Sequence, residues 1–160
     1  MSIPVFISCP SRLNEKQKEY NEKINCLLAD FGFERRALGI SDYATDYPLK
    51  EVYDLAKHCA GGVILGFEQI YIEKGLSKRG TSYEKALNEI SIPTPWNHLE
   101  AGILYSLQIP LLIIREKRIE GGIFDYGTSA YFVHDFESDV DLKKVLLKWA
   151  VKVNEYYNKM

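Results

Sequence analysis

Val63-Ile64-Leu65-Gly66-Phe67 is the stretch on which the fold turns. It is apolar on both sides of the strand period, and such a strand belongs inside a parallel sheet covered on both faces. Gly61 and Gly62 stand just before it. They end a helical pattern that Pro48 opens at the first position, with Val52, Leu55, Ala56 and Cys59 on its buried side. Upstream, Pro4-Val5-Phe6-Ile7-Ser8 is another short apolar run, followed by a loop over residues 9–14. Asn14 has the character of an N-cap and residues 15–29 that of the helix it opens. Tyr20, Ile24, Leu27, Leu28 and Phe31 keep helical spacing, Cys26 is read as core, and Gly32 is the stop. Residues 33–38 form a more polar strand that suits a sheet edge.

Downstream, residues 39–47 are a polar loop with Ser41, Asp42, Tyr43 and Asp46. Residues 68–94 carry no strand signal. They read as a long functional or mobile insertion, loop-like over 74–80, with a short helix over 81–88. Pro93-Thr94-Pro95-Trp96-Asn97-His98-Leu99-Glu100 then leads into a helix marked by Ala101, Leu104, Tyr105 and Leu107, with Glu100 in its first turn. Leu111-Leu112-Ile113-Ile114 is a buried strand, residues 120–127 a glycine-rich loop, and residues 130–134 a last strand. Asp139 or Asp141 caps a closing helix with Val145, Leu146, Trp149, Val153 and Tyr156 inward.

Strands alternating with helices imply a parallel sheet with right-handed crossovers. The expected fold is an α/β flavodoxin-like three-layer sandwich, with a five-stranded parallel sheet of order 2-1-3-4-5, in one domain over residues 1–160. In such sheets ligands sit outside the carboxyl ends of the strands, at the switch point between strands one and three. The segments expected there are residues 8–14, Asp42 and Tyr43, residues 67–70, and the Trp96–Glu100 segment.

Composition narrows the function classes. With 160 residues, 46% apolar and 26% charged, the chain can build a real core. A net charge of -2, with lysines and arginines mixed among acids, offers no basic stripe, so nucleic acid and anionic membrane are not expected partners. The opening residues have no long apolar run, and a cytoplasmic location is expected. Cys9, Cys26 and Cys59 are odd in number and lack CxxC spacing, and His58, His98 and His134 lack metal-ligand spacing, so no metal is expected. No phosphate-cradling glycine motif follows a strand.

What remains is a carboxylate at a strand-edge crevice beside an aromatic ring. Glu100 and Trp96 stack on one helix face at i and i+4. That pair suits N-glycosidic cleavage, which passes through an oxocarbenium-like ribose that a carboxylate stabilises by charge or by a covalent ester. A ring such as Trp96 or Tyr43 can stack on a base. When nicotinamide leaves, it departs neutral and needs no general acid, so one glutamate can suffice.

These residues resemble a known family. Pro4-Val5-Phe6-Ile7-Ser8 is similar to the opening strand of TIR (Toll/interleukin-1 receptor) domains. Ala29-Asp30-Phe31-Gly32-Phe33 is similar to their lead into strand two, and residues 55–65 to their third helix-strand unit. Trp96-Asn97-His98-Leu99-Glu100 matches the Trp-x-x-x-Glu of their enzymatic members. The resemblance implies an NAD nucleosidase that gives ADP-ribose or a cyclic ADP-ribose signal, in antiphage defence. NAD would be substrate rather than cofactor, and a homo-oligomer and a separate effector or sensor protein are implied. By the same resemblance Glu100 is the catalytic residue. Ser8, Cys9, Pro10 and Ser11 contact the nucleotide, and Asp42 and Tyr43 gate the site. Phe67, Trp96 and Asn97 complete the expected substrate-binding set at the sheet edge. Ser8-Cys9-Pro10 and Glu100-Ala101-Gly102 also resemble nucleoside 2-deoxyribosyltransferases, which implies a deoxynucleoside substrate and a glutamate nucleophile. A non-catalytic TIR-like assembly module is the third reading.

Overall fold

The computed structural model describes residues 2–38, 47–127, 132–138 and 140–160. Five strands form a parallel sheet: β1 (Ile3–Ser8), β2 (Phe33–Arg36), β3 (Gly61–Gly66), β6 (Leu111–Arg115) and β7 (Phe132–Asp135). Their spatial order is β2-β1-β3-β6-β7. Among the described residues four helices flank it: α1 (Glu15–Asp30), α2 (Pro48–Ala56), α3 (Pro95–Ser106) and α4 (Leu142–Tyr157). The remaining strands, β4 (Ile70–Ser77) and β5 (Lys85–Ile92), pair antiparallel in a separate two-stranded ribbon. With the ribbon set aside, the order is the flavodoxin-like 2-1-3-4-5, and β2 stands at the edge where its polarity suggested.

The strand period sorts the core. Val5, Ile7, Val63, Leu65, Leu112 and Ile114 pack on one side with Ile24 and Leu28 of α1 and with Leu146, Trp149 and Val153 of α4. Phe6, Ile64, Leu111 and Ile113 pack on the other with Val52 and Leu55 of α2 and Ala101 and Leu104 of α3. Every residue of β3 is buried, as its apolar run requires. Gly61 lies inside that strand rather than before it. A Cβ on it would stand 2.7 Å from the rings of Trp149 and from Val153, so only glycine lets α4 approach this closely.

Local signals hold at several ends. Asn14 caps α1: its side chain accepts from the backbone N–H of Gln17, whose own side chain accepts from the N–H of Asn14. Asp141 caps α4 by accepting from the N–H of Lys143 at 3.0 Å. Asp139 lies outside the described residues, as do Ala130 and Tyr131 of the expected last strand and Ser41, Asp42, Tyr43 and Asp46 of the expected gating loop.

Three expectations are corrected. The segment 68–94 is neither a structureless insertion nor the seat of a helix over 81–88. It is the β4–β5 hairpin, with Ile70 opposite Ile92, Ile72 opposite Ile90 and Ser77 opposite Lys85. Glu73, Lys74, Asn88 and Glu89 interrupt the alternation that would mark a strand, and the ladder that specifies it joins residues far apart in sequence. Cys26 is exposed, not core. The buried positions of α1 are Gln17, Ile24 and Leu28, and Cys26 falls two residues from each of the last two, on the opposite side. Finally, α3 begins at Pro95 with Thr94 as its N-cap, so Glu100 stands in the second turn. The dipole, which acts within the first turn, does not account for it.

No helix among the described residues is long and apolar enough to cross a membrane.

Candidate active site

The carboxyl ends of β1 and β3 and the start of α3 enclose a crevice of about 250 Å³. It is lined by Ser8, Cys9, Pro10, Ser11, Gln69, Thr94, Trp96 and Glu100. This is the switch point of the sheet, since β1 and β3 are neighbours and their connections run to opposite sides.

Each group arrives there by a local rule. Ser8 follows Phe6 by two residues, so it shares the sheet face that meets α3. Cys9, one residue on, turns toward the α1 side. On α3, Asn97, Ala101 and Leu104 form the buried stripe. Glu100 stands three residues after Asn97, at the upper edge of that stripe. Trp96 occupies the same side of the helix and is 43% exposed, so its ring edges the crevice and is not a core anchor. Thr94 reaches the crevice while its hydroxyl accepts from the N–H of Trp96 at 3.3 Å.

The electrostatics centre on Glu100. Burial raises its pKa from the ordinary 4.5 to about 7, and a hydrogen bond with Ser8 opposes that rise. Ser8 is itself buried, and its Oγ accepts from Nδ2 of Asn97 at 2.7 Å. Burial also raises the Cys9 pKa; the Arg35 charge and hydrogen bond oppose the rise, while the Glu100 charge adds to it. The net effect keeps the thiol protonated. Arg35 donates from Nη1 to Asn21 Oδ1 at 2.8 Å and to Asn25 Oδ1 at 2.5 Å. His98 lies on the far side of α3 with its ring edge-on to Phe124, and burial lowers its pKa. Among the described residues no group of three or more His, Cys, Asp or Glu side chains could hold a metal ion.

The sequence-derived site residues divide into four sets. Glu100, Ser8, Cys9, Pro10, Ser11 and Trp96 are brought together in the crevice wall. Asn97 is fully buried behind the wall, where it holds Ser8 and cannot touch a ligand. Phe67, expected to bind substrate, is fully buried and stacked on Phe136 with ring centroids 5.3 Å apart. It directly follows β3, whose odd residues face α1 and α4, and it keeps their side, so its ring enters the core instead of the crevice. Asp42 and Tyr43 lie outside the described residues. Of the other two lining residues, Gln69 lies in the 67–70 segment expected at this edge, and Thr94 lies outside every expected segment. Thr94 carried a usable signal, a Thr-Pro pair at N-cap and N1. Gln69 is placed there as part of the run that follows the apolar strand, the β3–β4 connection.

Comparison with known proteins follows from this geometry. No protein-family model matches the chain, and no curated protein matches its sequence. Solved structures do match. The CMP N-glycosidase BcmB of Clostridium botulinum superposes with a TM-score of 0.51 at 14% identity, over 91% of this chain and 95% of that one. A 2-deoxyribosyltransferase from Bacillus psychrosaccharolyticus gives a TM-score of 0.46 at 13% identity, over 89% and 95%. The TIR domains of the activated Roq1 resistosome give 0.43 at 13% identity, over 98% and 84%. The BcmB likeness supports the fold described above.

Proposed function

We propose that this protein cleaves the N-glycosidic bond of a nucleotide or nucleoside, with Glu100 as the working carboxylate. One observation carries the reading: among the described residues Glu100 is the single carboxylate in the wall of a crevice at the switch point, partly buried, sharing that wall with Ser8 and the exposed ring of Trp96. In this reading the base stacks on Trp96 and its ribose C1′ faces Glu100. As the C1′–N bond breaks, its electron pair leaves with the base. The ionised carboxylate stabilises the oxocarbenium-like sugar or bonds to C1′. Water, or a second nucleophile, then completes the transfer at C1′.

Nicotinamide is the leaving group we favour. It departs neutral, and the described crevice wall contains no second carboxyl group to serve as a general acid. The substrate is then NAD, and the products are nicotinamide with ADP-ribose or its cyclic form. The resemblance to TIR domains supports the same choice and extends it to work in a homo-oligomer and in antiphage defence. A second reading, cleavage of or base exchange on a smaller pyrimidine or deoxy substrate, is favoured by the crevice's modest volume of about 250 Å³.

The test is product analysis by chromatography and mass spectrometry after incubation with NAD, CMP, or deoxyadenosine plus a second base. Nicotinamide release that disappears in Glu100→Gln and Glu100→Ala is the expected result. Release from CMP or base exchange alone transfers the reading to the smaller substrates. Release from any of them that survives both substitutions removes Glu100 from the mechanism. Because the carboxylate must be ionised, the rate should climb as pH rises through about 7 and level off above it.

A further inference from the structure

Asn97 sits where α3 would ordinarily place a leucine. The buried stripe it opens continues with Ala101 and Leu104, and Asn97 is fully inaccessible. A buried amide is costly unless its polar atoms are used. Here Nδ2 is used, donating to Ser8 Oγ at 2.7 Å, while Oδ1 has no hydrogen-bond partner among the described residues. An apolar residue would remove that cost, so the amide's presence points to what its donor does.

A serine hydroxyl has one proton and can accept from two donors. With Asn97 Nδ2 occupying an acceptor side of Ser8 Oγ, the serine proton is free to turn toward Glu100, which lines the same crevice wall and whose pKa Ser8 lowers. Were the amide reversed, Oδ1 would face Ser8 and take that proton away from Glu100. The three side chains come from two elements, with Ser8 ending β1 and Asn97 and Glu100 three residues apart on α3. The bond between Asn97 Nδ2 and Ser8 Oγ gives the set a direction, with the serine proton left to point toward the carboxylate.

We propose that Asn97 is a positioning residue for the reaction: its amide orients the Ser8 hydroxyl so that Ser8 donates to Glu100 and keeps that carboxylate ionised and aimed into the crevice. This deepens the functional reading above, since it rests on Glu100 being the working carboxylate. Among the described residues few other groups compete for Glu100. From the β1–α1 loop Cys9 faces it with a protonated thiol. Gln69 from the β3–β4 connection and Thr94 and Trp96 from the start of α3 are uncharged. Arg35 of β2 acts on Cys9, and His98 of α3 faces Phe124. Among the described residues, Ser8 is the hydrogen-bonding partner that favours the charged form of Glu100.

The experiment reads Glu100 directly, without substrate. Carboxyl carbon NMR titration of the whole protein, with the resonance assigned through Glu100→Gln, gives the midpoint in wild type, Asn97→Leu, Asn97→Asp and Ser8→Ala. A hydrogen bond to a charged group is worth about one pH unit, so Ser8→Ala should raise the midpoint by roughly that amount. Asn97→Leu should raise it by a smaller step while leaving thermal stability equal or higher. Asn97→Asp, which accepts the serine proton and adds a charge, should raise it most. Once a substrate is in hand, the acid limb of the pH-rate profile should move upward in the same order. A midpoint unmoved by Asn97→Leu, in a protein that melts like wild type, overturns the proposal. If that variant fails to fold, an unmoved midpoint in Ser8→Ala, which removes one oxygen, overturns it instead. Loss of the functional reading is distinguishable, because the titration can follow the expected order in a protein that releases no base from any substrate tested.

Discussion

Glu100, the carboxylate of the proposed reaction, sits at a cost to stability. A carboxyl whose pKa is raised on folding binds its proton more tightly in the native state than in the unfolded chain. Between about 4.5 and about 7 the folded protein holds more protons, so its stability falls as pH rises through that window. Glu100→Gln keeps the shape and removes the charge. At pH 8 it should be more stable than wild type by about 2–3 kcal/mol, with the difference fading as pH falls toward 4.5; urea titrations at pH 4.5, 6 and 8 check this. Arg115 is the opposite case, a buried charge that serves only the scaffold. Its Nε donates to Asp135 Oδ1 at 2.7 Å, and Nη1 donates to the carbonyls of Ile119 at 2.9 Å and Phe124 at 2.7 Å. Arg115→Lys cannot span those three acceptors from one ammonium, so denaturant unfolding should show a loss of about 2–4 kcal/mol.

At the scale of elements, the β4–β5 hairpin stands apart. Its strands pair with each other, and its base is tied down by Gln69 N–H donating to the Ile92 carbonyl at 2.9 Å and by a bridge between Ser91 and Ile119. Beyond that base the exposed residues dominate, Ile70, Tyr71, Leu76 and Tyr83 among them. A two-stranded ribbon without a packed face is only marginally stable in water. Amide exchange followed by mass spectrometry should therefore show residues 73–88 exchanging at least a hundredfold faster than β3, whose every residue is buried. The start of α1 differs, because the Asn14–Gln17 capping box satisfies its first donors and Gln17 continues inward, donating from Nε2 to the Glu68 carbonyl and to Glu116 Oε2, each at 3.1 Å. Asn14→Ala should cost about 1 kcal/mol in thermal or urea unfolding.

At the scale of the molecule, the parallel sheet does two jobs. It separates two apolar layers, and it brings the ends of β1 and β3 and the start of α3 to one edge. The close approach of α4 depends on Gly61, where a side chain would meet Trp149 and Val153. Gly61→Val should push α4 off the sheet and cost several kcal/mol, seen as a large drop in melting temperature, while leaving the crevice residues in place in any fraction that folds.

Much of this was legible in the chain itself. The all-apolar run at β3, the helix between Asn14 and Gly32 and the Pro48 start dictate parallel strands and crossovers, because burial and backbone geometry act over a few residues. The same locality sets Ser8, Cys9, Pro10 and Ser11 at a strand end and Trp96 and Glu100 at a helix start, the ends a parallel sheet gathers at one edge. What the tertiary structure alone decided involves partners far apart in sequence. The hairpin's ladder joins Ile70 to Ile92, Phe67 turns inward because Phe136 and the α1 layer wait there, and Asn97 is bonded behind the crevice wall because Ser8, 89 residues away, stands beside it. Periodicity reports which face a residue occupies. Only the packed fold reports what meets it there, and a polar side chain's role is set by that meeting.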